Sequence, residues 1–265
     1  MSLITSRQNP IVRTYRGLAD EPDAAGARVL LDGVHLVRDA HAAGLAFESV
    51  AVAASHVAAG DEEAAIAQRL QSAGVPVTSV TDAVFTAMSP VKSPSGIVAI
   101  ARRTPSSATT ICNDQDGFTL VAIDVQDPGN LGGLIRVAEA GGVTGVIVTG
   151  MSAQPFSWKA LRGSMGSALR LPVARAPGAD SVIECLHSNG ARVVASVPRG
   201  GRPPEEIDWN GPVALLLGGE GHGLRDDIVL QCDDRVTIPM ARGVDSLNVA
   251  AAGAILIYTA RRRRL

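Results

Sequence analysis

Aromatic residues make up only 3% of the chain, and lysine occurs twice, as Lys92 and Lys159. A core must then be built from Val, Leu, Ile and Ala, and any clustered positive charge must come from arginine, which suits bidentate phosphate contacts. The formal net charge of -2 excludes a uniformly basic coat, so nucleic-acid binding would have to rest on local patches. The three cysteines, Cys112, Cys185 and Cys232, are far apart and form no CxxC pair, which gives neither a disulfide framework nor a metal site. The opening MSLITSRQNP lacks the apolar stretch of a signal peptide, and the apolar run at 249–260 is too short to span a bilayer. These absences predict a cytoplasmic protein without a membrane partner.

What is present is an alternation of apolar runs and helical spacing, which predicts an α/β fold. Residues 1–105 read as a small α/β unit: a helix opened by Asn9-Pro10, strands near 28–31, 49–53, 75–80 and 96–102, and helices near 33–43, 64–73 and 82–88. Residues 106–117 are polar, contain Ser and Asn, lack periodicity, and read as a linker. From 118 to 265 the strands recur at 119–125, 143–148, 171–173, 192–196, 213–217 and 235–238, with helices between them, as in a doubly wound sheet.

Three stretches of this second part carry polar groups next to glycines. Residues 124–142 read DVQDPGNLGGLIRVAEAGG, a strand end, a turn, and a helix with Leu131, Leu134, Ile135 and Ala138 on one face. Asn130 is placed to cap that helix, with Arg136 about a turn and a half further on. Residues 213–223 read VALLLGGEGHG, an apolar strand running into glycines that flank Glu220 and His222. A dinucleotide loop does not fit there, because the third glycine it requires is Leu224. Residues 238–258 read IPMARGVDSLNVAAAGAILIY and bring Ser246 and Asn248 to the start of an apolar helix.

Together these stretches resemble the motifs of the SpoU (TrmH-type) branch of the SPOUT methyltransferases: Asn-x-Gly-x-x-x-Arg, then Gly-x-Glu-Gly-x-Gly, then Ile-Pro-Met followed by Ser-Leu-Asn. The resemblance implies a SPOUT domain with a mainly parallel sheet and a deep trefoil knot. It also implies S-adenosylmethionine as cofactor, held by Gly218, Ile238 and Leu247 with Ser196, Leu217 and Gly219 nearby. The implied reaction is methylation of a ribose 2′-hydroxyl, with Arg136 at that hydroxyl, Asn130 holding Arg136, Glu220 orienting the loop, and Ser246 and Asn248 completing the site. Guanidinium is a fixed cation, so Arg136 is read as an electrostatic orienter.

Residues 1–105 resemble more loosely the L30e-like substrate-binding domain that precedes many SpoU domains, through the opening Ser-x-x-Asn-Pro, the run LDGVHLV at 31–37, and SPSGIV at 93–98. Asp32 departs from the glutamate common there. This layout implies a large structured RNA, 23S ribosomal RNA above all. A tRNA methyltransferase and a non-catalytic RNA-binding relative are the alternatives. Arg7, Arg13, Arg16 and Lys92 are the phosphate-contact candidates of the first part, an ordinary solvated face being the other reading. In the second part, Lys159, Arg162 and Ser164 are expected to face RNA, a plain surface helix being the other reading. The closing run Arg261 to Arg264 either binds phosphate or favours the helix end through its dipole. The family implies a homodimer packed through the helix at 246–260; from the residues themselves, no metal is expected.

Overall fold

The computed structural model describes residues 3–264, and these divide into two compact units. The first holds the chain up to Thr104 together with Phe156–Leu169; the second holds Pro105–Pro155 and the chain from Arg170 onward. The chain therefore passes between units three times. Residues 156–169, which the sequence reading runs on with the second domain, group by contact with the first.

The first unit is built on strands β1 (Leu3–Ile4), β2 (Arg28–Asp32), β3 (Ala46–Ala53), β4 (Val77–Val80) and β5 (Ile97–Arg102), ordered β1-β4-β3-β5-β2. β4 pairs in parallel with β1 and β3, whereas β5 runs antiparallel to β3 and β2. Helices α1 (Pro10–Asp20), α2 (Val34–Ala42), α3 (Ala54–Ala59), α4 (Glu62–Ser72) and α5 (Asp82–Met88) cover it. Asn9 caps α1 through Ile11 N, with Pro10 at the first helical position, where its missing N–H costs nothing. Val12, Tyr15, Leu30, Phe85, Met88 and Ile100 form the core beneath α1 and α5. The Tyr15 hydroxyl, buried with them, bonds Ser49 Oγ at 2.9 Å.

In the second unit α6 (Ala108–Cys112) comes first, inside the stretch read as linker. Ser107 caps it through Thr110 N at 3.0 Å, and Ile111 and Cys112 enter the core. The strands are β6 (Phe118–Ile123), β7 (Gly145–Thr149), β8 (Val173–Arg175), β9 (Arg192–Ser196), β10 (Val213–Gly218) and β11 (Asp234–Val236). They form a sheet of order β11-β9-β10-β6-β7-β8 in which every pairing is parallel. Parallel strands covered on both faces read as unbroken apolar runs, and β6 and β7 are buried at every position. The helices that follow in the chain are α7 (Pro128–Gly141), α8 (Trp158–Gly163, within the first unit), α9 (Ser167–Arg170, in the first unit up to residue 169), α10 (Ala179–Ser188), α11 (Asp226–Val229) and α12 (Val249–Arg264).

α12 packs on α7, where a Cβ on Gly253 would overlap Leu134 and one on Gly141 would overlap Ile257. Its closing arginines satisfy backbone carbonyls: Arg261 bonds Ala140 O, and Arg264 bonds the carbonyls of Asp116, Trp209 and Gly211. All three cysteines are free, and Cys112, Cys185 and Cys232 sit in or against one cluster beneath α10. Burial pushes the Cys112 thiol up to about 12 and the Cys232 thiol up to about 11.

Candidate active site

The loops that leave the carboxyl ends of β9, β10 and β11 enclose a cavity of about 600 Å³, in the place where parallel α/β sheets hold their ligands. Its floor is the glycine run after β10. Gly223 N bonds Gly219 O at 3.2 Å and the two residues form an antiparallel bridge, so residues 219–223 make a tight hairpin. A Cβ on Gly219 would overlap the carbonyl of Asp124 after β6, and one on Gly218 would overlap Gly223. The glycines are therefore required by backbone-on-backbone packing.

Ser196, Leu217, Gly218, Gly219, Ile238 and Leu247 all line this cavity, as do Glu220, Ser246 and Asn248. Residues taken from four separate stretches of sequence thus converge on one space.

Asn130 does not cap α7. Asp127 does, its Oδ1 accepting Asn130 N at 2.7 Å, with Pro128 at the first helical position. Asn130 is inside the first turn, which frees its side chain for longer reach. Its Nδ2 donates to Glu220 Oε1 at 2.6 Å, and its Oδ1 accepts from Asn248 Nδ2 at 2.8 Å. Asn248 Oδ1 in turn accepts the amides of Ala250 and Ala251 at 2.9 and 3.3 Å, as an N-cap of α12. One amide chain therefore ties α7, the glycine hairpin and α12 together. Both polar ends of the Asn130 amide are engaged in it, and among the described residues Asn130 makes no hydrogen bond to Arg136.

Arg136 is exposed on α7, outside the cavity lining, and among the described residues it has no hydrogen bond or ion pair. Its donors are free for a ligand.

Sequence reading missed the cavity's outer wall. Arg199, from the loop after β9, pairs with Asp245 at 2.7 Å, and both side chains are exposed at 82% and 85%. His222 and Met240 also line the space. The run Pro198-Arg199-Gly200-Gly201 directly after an apolar strand has the same strand-to-glycine signature as 213–223, and it could have flagged Arg199.

In the first unit Arg7 Nε donates to Ala83 O at 3.1 Å and Arg16 to Ala87 O at 3.3 Å, which lays both exposed side chains along α5. Arg13 and Lys92 are exposed. On α8, Lys159 and Arg162 are exposed. Ser164 is not: it is fully buried, and its hydroxyl donates to Leu161 O at 3.0 Å within its own turn, so the expectation that it faces RNA is corrected. Asp32, also buried, accepts from Ser89 Oγ at 2.7 Å; burial raises its pKa, opposed by that bond and by Arg162.

Among the described residues His56, Asp61 and Glu63 have ligand atoms close enough together for a cation. His56 Nδ1 lies 2.7 Å from Asp61 Oδ2, a hydrogen bond that ties the end of α3 to the start of α4.

Residues 117–258 match the SpoU rRNA Methylase family, and residues 9–99 match the MRM3-like substrate binding domain. The chain is 33% identical over 98% of its length to an uncharacterized tRNA/rRNA methyltransferase of Synechocystis sp., covering 94% of that protein. It is 29% identical over 98% of its length to a 23S rRNA (guanosine(2553)-2′-O)-methyltransferase of Bacillus subtilis, covering all of it. Among solved structures it resembles the AdoMet-bound rRNA methyltransferase of Sinorhizobium meliloti, with TM-score 0.86 and 30% identity over 100% of this chain and 98% of that one.

Proposed function

The chain belongs to the SpoU rRNA methylase family, and on that premise we propose that it methylates a ribose 2′-hydroxyl of RNA, with S-adenosylmethionine as donor and 23S ribosomal RNA as substrate. The observation that carries this reading is the convergence of the glycine hairpin and the Asn130–Glu220–Asn248 chain on one cavity.

The cavity suits the cofactor. Its volume is about 600 Å³, within the range of about 300–1,000 Å³ usual for small-molecule sites. Bare backbone at Gly218 and Gly219 permits close approach, Leu217, Ile238 and Leu247 offer apolar walls to a flat ring, and Ser196 and Ser246 supply hydroxyls. The carboxylate of Glu220 at the same cavity favours a cationic ligand, whereas Asp245 is paired with Arg199.

S-adenosylmethionine, when bound there, supplies a methyl group activated by a positive sulfur. The chain has to hold the 2′-oxygen in line with that carbon and offset the charge that develops on the oxygen. Arg136 is assigned the second task, directly or through a substrate phosphate, because it is a permanent cation with unspent donors. The hydroxyl proton leaves to solvent, and the negative charge this puts on the oxygen is what Arg136 offsets; the new oxygen–carbon bond would replace the carbon–sulfur bond, whose electron pair stays with a neutral sulfur. Asn130, Glu220 and Asn248 hold the hairpin and the start of α12 in place, and Ser246 closes the site beside them.

The reading extends to the trefoil knot, supported by the last helix, α12, packing back on α7 and β10 after the chain has left edge strand β11. It extends to a homodimer through α12, whose Ile255 and Tyr258 remain 43% and 45% exposed beside Ala251. RNA contact is assigned to Arg7, Arg13, Arg16 and Lys92 and to Lys159 and Arg162 on α8. Three free cysteines agree with a cytoplasmic setting.

Methyl transfer from labelled S-adenosylmethionine to separated rRNA and tRNA, followed by nucleoside mass spectrometry, tests the reading. Label in a 2′-O-methylated nucleoside of 23S rRNA is expected. Label in tRNA alone would move the substrate and keep the reaction, and a base-methylated product would overturn the mechanism.

A further inference from the structure

His222 aside, the charged side chains lining the cavity are Arg199, Glu220 and Asp245. Glu220 is held by Asn130. Arg199 and Asp245 stand 46 residues apart in the chain and pair at 2.7 Å, with side chains 82% and 85% exposed. That exposure puts them at the open mouth, whereas Leu217 and Val249 of the same cavity are buried. The cavity is therefore apolar at its inner end and carries one cation beside one anion at its entrance.

Both charges stand on anchored backbone. Val197 O accepts from Thr237 Oγ1 at 3.0 Å, and Gly201 N donates to that same oxygen at 2.9 Å, so the arch that carries Arg199 is pinned at both feet to the chain after β11. A Cβ on Gly201 would overlap the Val236 backbone, so the second foot lies tight against it. Asp245 lies three residues before Asn248, which caps α12 and bonds Asn130. The two side chains themselves are barely committed: among the described residues, their mutual bond is the only one either makes. An ion pair this exposed contributes little to stability and opens readily. Opening it leaves a guanidinium fork for a carboxylate and the Asp245 carboxylate for an ammonium.

S-adenosylmethionine carries the complementary set: a carboxylate and an ammonium at its amino-acid end, and a positive sulfur. We propose that Arg199 and Asp245 recognise that amino-acid end, Arg199 taking the carboxylate and Asp245 the ammonium, with Glu220 left to the sulfur. The proposal rests on the cofactor reading above and adds two binding residues to it. With them the cavity selects the whole cofactor over an adenosyl fragment by charge.

The test titrates the full chain calorimetrically with S-adenosylhomocysteine and with 5′-methylthioadenosine. These share the adenosyl thioether and differ in the amino-acid end. Wild type should bind S-adenosylhomocysteine at least about ten-fold more tightly than the fragment. Arg199→Ala and Asp245→Asn should each weaken S-adenosylhomocysteine by about ten-fold and leave the fragment unchanged. The double variant Arg199→Asp with Asp245→Arg restores an ion pair between the loops but sets each ligand charge against its like, so it should not regain the lost affinity. Recovery in that double variant, or equal loss of both ligands in the single variants, would make the pair a clasp between loops and overturn the proposal. Single variants that bind both ligands as wild type does would overturn it too. If wild type binds neither ligand, the cofactor reading itself falls and takes the proposal with it, an outcome distinct from the others.

Discussion

Asn248 donates its side-chain amide to Asn130 at 2.8 Å, joining the start of the last helix to the first turn of a helix 118 residues earlier. Glu220 accepts from the other end of the same Asn130 amide. Replacing Asn130 by Ala removes both bonds at once, and Asn130→Asp goes further by setting a carboxylate against Glu220. Methyl transfer should fall by on the order of 10²-fold in Asn130→Ala, the scale of a misplaced reacting group, and further in Asn130→Asp. Single-turnover transfer assays beside equilibrium cofactor binding check this. Unchanged turnover in both variants would mean the amide chain is dispensable.

Arg136 has no partner among the described residues, so its loss should cost little stability, within about 0.5 kcal/mol as for other exposed positions. Arg136→Ala should lose methyl transfer while its melting temperature and its affinity for S-adenosylmethionine stay near wild type. A large fall in cofactor affinity would move Arg136 from the RNA side of the site to the cofactor side.

The fold was legible because apolar runs such as 118–123 and 213–217 are buried on both sides and carry the strand signal alone. The cavity was legible through its motifs, since bare glycine backbone and short polar side chains are local in sequence. Other features depend on contacts no local pattern reports. Asn130 and Asp127 are both good capping residues, and only Pro128 at the first helical position marks Asp127 as the cap. Helix α6 is five residues long, too short for a period to show. Ser164 is polar and follows two cations, yet packing closes over it. That residues 156–169 group with the first unit follows from Phe156, whose ring fills the space a side chain at Gly26 would take and lies under Arg103 at 3.9 Å. In a chain so poor in aromatics, Phe156 and Trp158 were the available hint.

Lys159 and Arg162 share α8 with the buried Ser164, and the three should separate cleanly on substitution. Lys159→Ala and Arg162→Ala should each lower the salt dependence of RNA binding by about one in slope with little change in stability. Ser164→Ala should leave RNA affinity alone and cost about 1 kcal/mol through the lost turn bond. Filter binding across a salt series, with urea melts, distinguishes them. A specific RNA defect in Ser164→Ala would restore the hydroxyl to the interface.

Gly219 leaves no room for a side chain, since a Cβ there would enter the Asp124 carbonyl. Asp124 cannot retreat easily: it holds φ 58°, and its Oδ1 accepts Met151 N at 2.7 Å. Gly219→Ala should therefore destabilise the chain by about 1–3 kcal/mol, as overpacking does, and should lose cofactor binding because the hairpin is pushed into the cavity. Urea denaturation and calorimetric titration read the two effects. A variant of full stability and full affinity would show that the hairpin does not need this approach.

Asp32 gives the first unit a pH dependence of definite sign. Burial raises its pKa above that of an unfolded carboxylate, more than the Ser89 bond and Arg162 lower it. The folded chain therefore binds the proton more tightly than the unfolded chain does. Between the unfolded value, about 3.9, and the raised folded value, native protein carries more protons, so this group's contribution to stability falls as pH rises through that window and then levels off. Asp32→Asn keeps an acceptor for Ser89 and removes the titration. Compared with the variant, wild type should lose stability as pH climbs from about 4 through the raised folded value, and the gap should stay constant beyond it. Paired urea melts at a series of pH values measure that gap. Wild-type stability that stays level or rises relative to Asp32→Asn as pH climbs through this window would mean Arg162 and Ser89 outweigh burial and hold the carboxylate ionised in the fold.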